Sequence, residues 1–225
     1  MIKWLQSVFQ SLGASGLVAN AQAAYQEKQY EEAKQQAQEA LRVYEASSSD
    51  NDGILQCLCI LGQSLQQLGD DAEAEKVFEK GLKIIDQTAS EERSRTGSTD
   101  VAKLLTAQAN LKRAHKEPLK AEELYRQSLA VLQNMAGGIG PEAAETLHAL
   151  GTLCLEKGEY NEAAGYLSQA LQLTEDFPNH WSWVEQQTLL HTVSSAYADC
   201  LKKTGKTRES EELEARAKEI REGLT

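Results

Sequence analysis

Residues Lys157–Leu173 read KGEYNEAAGYLSQALQL. The segment has neither the two-residue alternation of a half-buried strand nor a continuous apolar run. It is rich in helix formers, yet it places small residues at Ala163, Ala164, Gly165 and Ala170, where bulk would bury more area. Four other stretches share its plan: Tyr30–Leu41 (YEEAKQQAQEAL), Asp71–Leu82 (DAEAEKVFEKGL), Pro118–Leu129 (PLKAEELYRQSL) and Thr207–Lys218 (TRESEELEARAK). In all five the fourth residue is small (Ala33, Ala74, Ala121, Ala163, Ser210). So is the eleventh (Ala40, Gly81, Ser128, Ala170, Ala217).

Each block has a helical partner upstream with one small slot of its own: Ala21, Gly62, Ala109, Gly151 and Ala198. That slot lies twelve residues before the small fourth residue in every case. Five repeats with one fixed internal offset describe a tandem array of helix pairs. Small contact residues let paired helices approach to the close end of the usual 8–10 Å range. Leu58, Phe78, Leu105, Tyr125, Leu147 and Leu167 then supply bulk between pairs. Gly69, Gly158 and Gly205 in the short connections suit helix C-termini.

The pattern resembles the tetratricopeptide repeat. The Leu61–Gly62 and Leu150–Gly151 pairs, the aromatics Tyr30, Phe78, Tyr125 and Tyr160, and the small slots carry the resemblance, over roughly residues 15 to 222. The standard repeat is about 34 residues, whereas here the small second-helix slots recur after 41, 47, 42 and 47 residues. The extra residues are read as spacers: ASSSDNDG, TASEERSRTGST, NMAGGIGPE and EDFPNHWS. Long spacing of this kind is similar to the kinesin-light-chain subclass. That subclass carries an Asn pair in each first helix, whereas Thr106–Ala107 and His148–Ala149 stand here.

The resemblance implies an all-α fold, an α-solenoid with a right-handed superhelix of about five helix pairs, at about residues 15–47, 55–88, 101–134, 142–176 and 184–222. A single domain then spans residues 15–225, and residues 1–14 form an N-terminal amphipathic helix. In that segment Ile2, Leu5, Phe9 and Leu12 recur at helical spacing. It is read as a cap on the first pair, a membrane-surface anchor or a ligand for the groove. Lys3, its lone cation, disfavours the membrane. The last block is highly charged, as a terminal cap requires.

The resemblance also implies that first helices line a concave peptide groove. By that analogy the groove residues are Gln22 and Gln26; Cys59, Gln63, Gln66 and Gln67; Thr106, Asn110 and Arg113; His148, Thr152 and Glu156; Ser195, Asp199 and Lys202. Amides both donate and accept, which suits the backbone of a bound peptide. The clamp by which related co-chaperones hold acidic C-termini is absent, since its slots hold Val18, Gln22, Cys59 and Ile60. A second candidate is the loop Phe177–Trp183 (FPNHWSW), because exposed Trp is common at binding hot spots. The alternative is that Trp181 and Trp183 pack the start of the next helix.

Other chemistry is not encoded. The net charge of −11 opposes nucleic acid as a partner. Cys57, Cys59, Cys154 and Cys200 make no C-x-x-C pair, and are read as packed thiols of a reducing, cytoplasmic compartment. His115, His148, His180 and His191 match no metal-ligand spacing. The glycine-rich Gly137–Pro141 matches no phosphate cradle. Gln6, Ser7, Gln10 and Ser11 interrupt the only stretch resembling a signal peptide. The expectation is a non-enzymatic protein-interaction scaffold with no catalytic, cofactor or metal site, which binds a protein or peptide. The alternative is a self-associating homo-oligomer, assembled by end stacking or by the N-terminal helix in a neighbour's groove.

Overall fold

A computed structural model describes residues 2–47, 50–87, 98–135 and 140–224. They form ten α-helices, with no strand among the described residues. These are α1 (Ile2–Gln26), α2 (Tyr30–Ser47), α3 (Asn51–Gln67), α4 (Asp71–Gln87), α5 (Ser98–Ala114), α6 (Pro118–Gln133), α7 (Ala143–Lys157), α8 (Tyr160–Asp176), α9 (Trp183–Lys203) and α10 (Thr207–Leu224). The helix pairs read from the sequence are α1–α2 through α9–α10. Residues 88–97 and 136–139, assigned to spacers, lie outside the described residues.

The helices gather into two compact units, Met1–His115 and Lys116–Thr225. In the first, α1 packs on α2 and α3, α2 on α3, α3 on α4 and α5, and α4 on α5. In the second, α6 packs on α7, α7 on α8 and α9, α8 on α9, and α9 on α10. The division falls between α5 and α6, so the third pair gives one helix to each unit.

α1 runs unbroken through residues 14 and 15, joining the expected N-terminal segment to the first repeat. Its side chains up to Leu12 lie outside the described residues, and the three readings of that segment rest on them.

The small slots explain the packing. All fifteen are buried, in every repeat. Two first-helix slots are glycines because a bulky second-helix residue lies directly against them. A Cβ on Gly62 would sit 2.3 Å from the Phe78 ring, and one on Gly151 would sit 2.6 Å from Leu167 Cγ. Phe78 and Leu167 occupy the same position of their blocks and are fully buried. In the first pair that position is Ala37, and the facing slot is Ala21 rather than glycine. At the eleventh position the close neighbour comes from the next pair. A Cβ on Gly81 would meet Leu104 Cδ1 at 2.4 Å.

The first spacer is shorter than the sequence suggests, because extra residues extend α3. The repeat pattern starts the second pair at residue 55, but α3 begins at Asn51. Asp50 caps it by accepting a 3.0 Å hydrogen bond from the Gly53 N–H. Gly53 then lies where a Cβ would be 2.5 Å from the Tyr44 ring, which locks the added turn onto α2.

In the four pairs that lie within one unit the connection is one repeated structure. The N–H groups of Gln29, Asp70, Glu159 and Lys206 donate to carbonyls five residues back, the bond of a Schellman motif. The preceding residue is left-handed in each, Lys28 (φ 61°), Gly69 (82°), Gly158 (80°) and Gly205 (81°), and so is Lys116 (60°) between α5 and α6. A Cβ in that conformation is strained. Lys28→Gly and Lys116→Gly are therefore each expected to raise the unfolding free energy by about 1 kcal/mol. Urea midpoints at or below that of the parent chain would refute this.

Candidate functional site

In the first unit α3 is enclosed by α1, α2, α4 and α5, which leaves it only a narrow polar stripe. Gln63 and Gln66 lie half-buried on that stripe, and Gln67 is exposed at its end. Cys59 corrects the sequence reading. It is 6% exposed and belongs to the core, because neighbours flank α3 on several sides. Gln56 belongs to the stripe and was missed. Its Nε2 donates to Asp100 Oδ2 at 2.9 Å and ties α3 to the first turn of α5. Extending the Cys59–Gln63 stripe by one turn would have found it. On α5, Thr106, Asn110 and Arg113 are half-buried, and on α1, Gln22 and Gln26 are exposed.

In the second unit His148 and Thr152 are half-buried on α7, and Glu156 is exposed one turn on. The Thr152 hydroxyl donates to the His148 carbonyl at 2.8 Å, so its proton is committed to its own helix. On α9, Ser195 is half-buried and Asp199 and Lys202 are exposed. Lys202 leans toward α10, with Nζ 3.6 Å from Glu214 Oε1. Each unit thus presents a polar first-helix face: mainly amide in the first, acidic and hydroxyl-bearing in the second.

A different cluster lies where the α7–α8 and α9–α10 connections meet. It borders an open depression of about 550 Å³ lined by Gly158, Glu159, Tyr160, Asn161, Glu162, Lys203 and Thr204. Donor atoms of Cys154, Glu159 and Glu162 lie within 4.8 Å of one another. Both carboxylates of the group already have partners. Lys157 bonds Glu122 at 2.7 Å and Glu159 at 2.8 Å. These bonds, to Glu122 first, raise its pKa. Glu162 accepts from Arg126 and from the Tyr166 hydroxyl, both at 3.1 Å. Burial pushes the Cys154 thiol up to about 12, reinforced by Glu162 and Glu159. Burial likewise raises Cys57 to about 12, and it raises Cys200, whose Sγ donates to the Tyr160 carbonyl. All four cysteines are buried and outside any disulfide, as the sequence suggested.

The loop after α8 separates its two tryptophans. Trp181 is half-buried and meets His180 edge-to-face, with centroids 4.7 Å apart and planes at 86°. Trp183 is 60% exposed. The alternative that both pack the next helix thus fails for Trp183: it stands on the first turn of α9, beyond the part that neighbouring helices cover. No helix among the described residues is long and apolar enough to cross a membrane.

A family model for the tetratricopeptide repeat matches residues 14–87 and 100–176. Among solved structures, BtubC (BKLC) from P. vanneervenii superposes with a TM-score of 0.70 at 19% identity, over 97% of this chain and 92% of that one. A putative kinesin light chain from Podosopora anserina with nearly identical TPR-like repeats gives 0.64 at 18% identity, over 94% and 96%. PlcR from Bacillus thuringiensis, in complex with the peptide PapR7 and DNA, gives 0.71 at 13% identity, over 94% and 70%. These likenesses establish the fold. No curated protein matches in sequence.

Proposed function

Since the chain belongs to the tetratricopeptide repeat family, we propose that it is a non-enzymatic interaction scaffold whose first-helix faces bind a peptide or helix of a partner protein. The observation that carries this reading is the polar face left on the enclosed first helices. α3 is covered on several sides, yet it keeps Gln56, Gln63 and Gln66 at its surface, and α5, which packs on it, keeps Thr106 and Asn110 half-buried. Side-chain amides there can meet both the donors and the acceptors of a peptide backbone. The likeness to PlcR, which was solved with a bound peptide, supports the same class of ligand. The family's usual role as a scaffold supports the non-enzymatic part. A cytoplasmic location belongs to the same reading and is supported by four buried cysteines that form no disulfide.

The test is a pull-down with the immobilised chain and three variants, Gln63→Glu, Asn110→Trp and His148→Trp. Each adds charge or bulk at a half-buried position of a first-helix face. Partners captured by the parent chain should bind at least one variant about tenfold more weakly or not at all, while thermal melts stay unchanged. Recovery of the same partners at the same strength by all three variants would sink the proposal.

A further inference from the structure

We propose that Phe177, Trp183 and Val184 form a second docking surface, outside the first-helix faces, for a cationic amphipathic segment of a partner protein. These side chains are 42%, 60% and 58% exposed, large apolar groups gathered within eight residues. Trp183 shares a face of α9 with Gln186, Leu190 and Val193, which follow at helical spacing and are all buried. The covered stripe therefore continues past its covering neighbours for one turn, and that turn carries the largest side chain.

This exposure is built in, not frayed. Ser182 and Glu185 form a capping box at the start of α9: Ser182 Oγ accepts from the Glu185 N–H at 3.3 Å, and Glu185 Oε2 accepts from the Ser182 N–H at 2.9 Å. Four residues after the cap, Gln186 Nε2 donates to the buried carbonyl of Thr174 at 2.9 Å. The loop is thus clasped to the end of α8 on one side and to α9 on the other. The backbone that carries Trp183 is therefore already ordered before a partner binds.

The charges around it decide the occupant. The acidic residues at the ends of α8 and α9 that carry these side chains are Glu175, Asp176 and Glu185, and the sequence contains no Lys or Arg between Lys157 and Lys202. Glu175 takes its partner from α10, Arg216 at 2.5 Å. Asp176 and Glu185 are exposed beside the apolar residues. A partner with apolar residues on one side and Lys or Arg on the other satisfies both features. The cations would meet the carboxylates and the face of Trp183. The same carboxylates repel phosphate-bearing partners.

A fluorescein-labelled helical peptide of Leu and Lys, and its Leu and Glu counterpart, are titrated into the full chain and followed by anisotropy. The Lys peptide should bind, more weakly as salt rises, and the Glu peptide should not. The double variant Trp183→Gln/Val184→Ser should bind the Lys peptide about tenfold more weakly or worse. Leu119→Ser, which removes an apolar residue 76% exposed on α6, should bind it like the parent chain. Equal affinity of the double variant and the parent would show mere adherence to an acidic surface and would overturn the proposal. So would binding of the Glu peptide, or no binding of the Lys peptide to the parent. Gln63→Glu, which probes the first-helix face, should leave Lys-peptide affinity intact, so this surface and that face can fail separately.

Discussion

Phe78→Ala is expected to lower the unfolding free energy by about 3–5 kcal/mol, the range for emptying a fully buried aromatic site. Phe78 has no exposed surface and lies over Gly62, in the cluster that includes Leu58, Leu61 and Leu65. Truncation leaves a void against a glycine, which has no side chain to move in. Gly62→Ala meets the converse problem. Its Cβ would fall 2.3 Å from the ring, and overpacking of this kind costs about 1–3 kcal/mol. The gain in helix propensity, about 1 kcal/mol, offsets part of that. The two substitutions should then correct each other, because the new methyl enters the space the ring vacates. The double variant should lose less than the sum of the singles, with a coupling of about 0.5–3 kcal/mol. Urea unfolding followed by far-UV circular dichroism measures it. Additive losses would mean that the glycine is not there for the ring.

The same pair shows why the fold was legible in the sequence. A contact between helices that recurs at one offset leaves a trace in every repeat, so Ala21, Gly62, Ala109, Gly151 and Ala198 could be aligned without a structure. The connections left half a trace. Gly69, Gly158 and Gly205 announce left-handed residues, whereas Lys28 and Lys116 adopt the same conformation with a residue that has no preference for it. At Lys28 the surrounding hydrogen bonds impose the turn, and the residue type does not reveal them.

The candidate site was less legible because helical spacing fixes the direction of a side chain but not what covers it. Cys59 lies on the same stripe as Gln63, yet it is buried by the neighbours of an enclosed helix. Trp181 and Trp183 are two residues apart, and which one packs depends on where the Ser182–Glu185 box starts α9. Tertiary packing makes those choices.

The segment Lys157–Leu173 and its partner helix allow the packing term to be separated from helix propensity. Leu167→Ala should cost about 2–5 kcal/mol, since Leu167 is fully buried against Gly151. Adding Gly151→Ala gives this pair the residues that the first pair carries at the same positions, Ala21 and Ala37. The new Cβ would lie 3.4 Å from the Ala163 carbonyl oxygen, at the border of ordinary contact, so the site can accept it once Leu167 is gone. In the parent chain it would lie 2.6 Å from Leu167 Cγ and destabilise. Gly165→Ala supplies the reference: its Cβ meets nothing within 4 Å, so it should stabilise by about 0.5–1 kcal/mol in either background. Gly151→Ala should therefore change sign, unfavourable in the parent chain and favourable in the Leu167→Ala background, while Gly165→Ala does not. If Gly151→Ala stabilised both backgrounds as Gly165→Ala does, the small slot would be a matter of propensity, and close helix packing would not explain it.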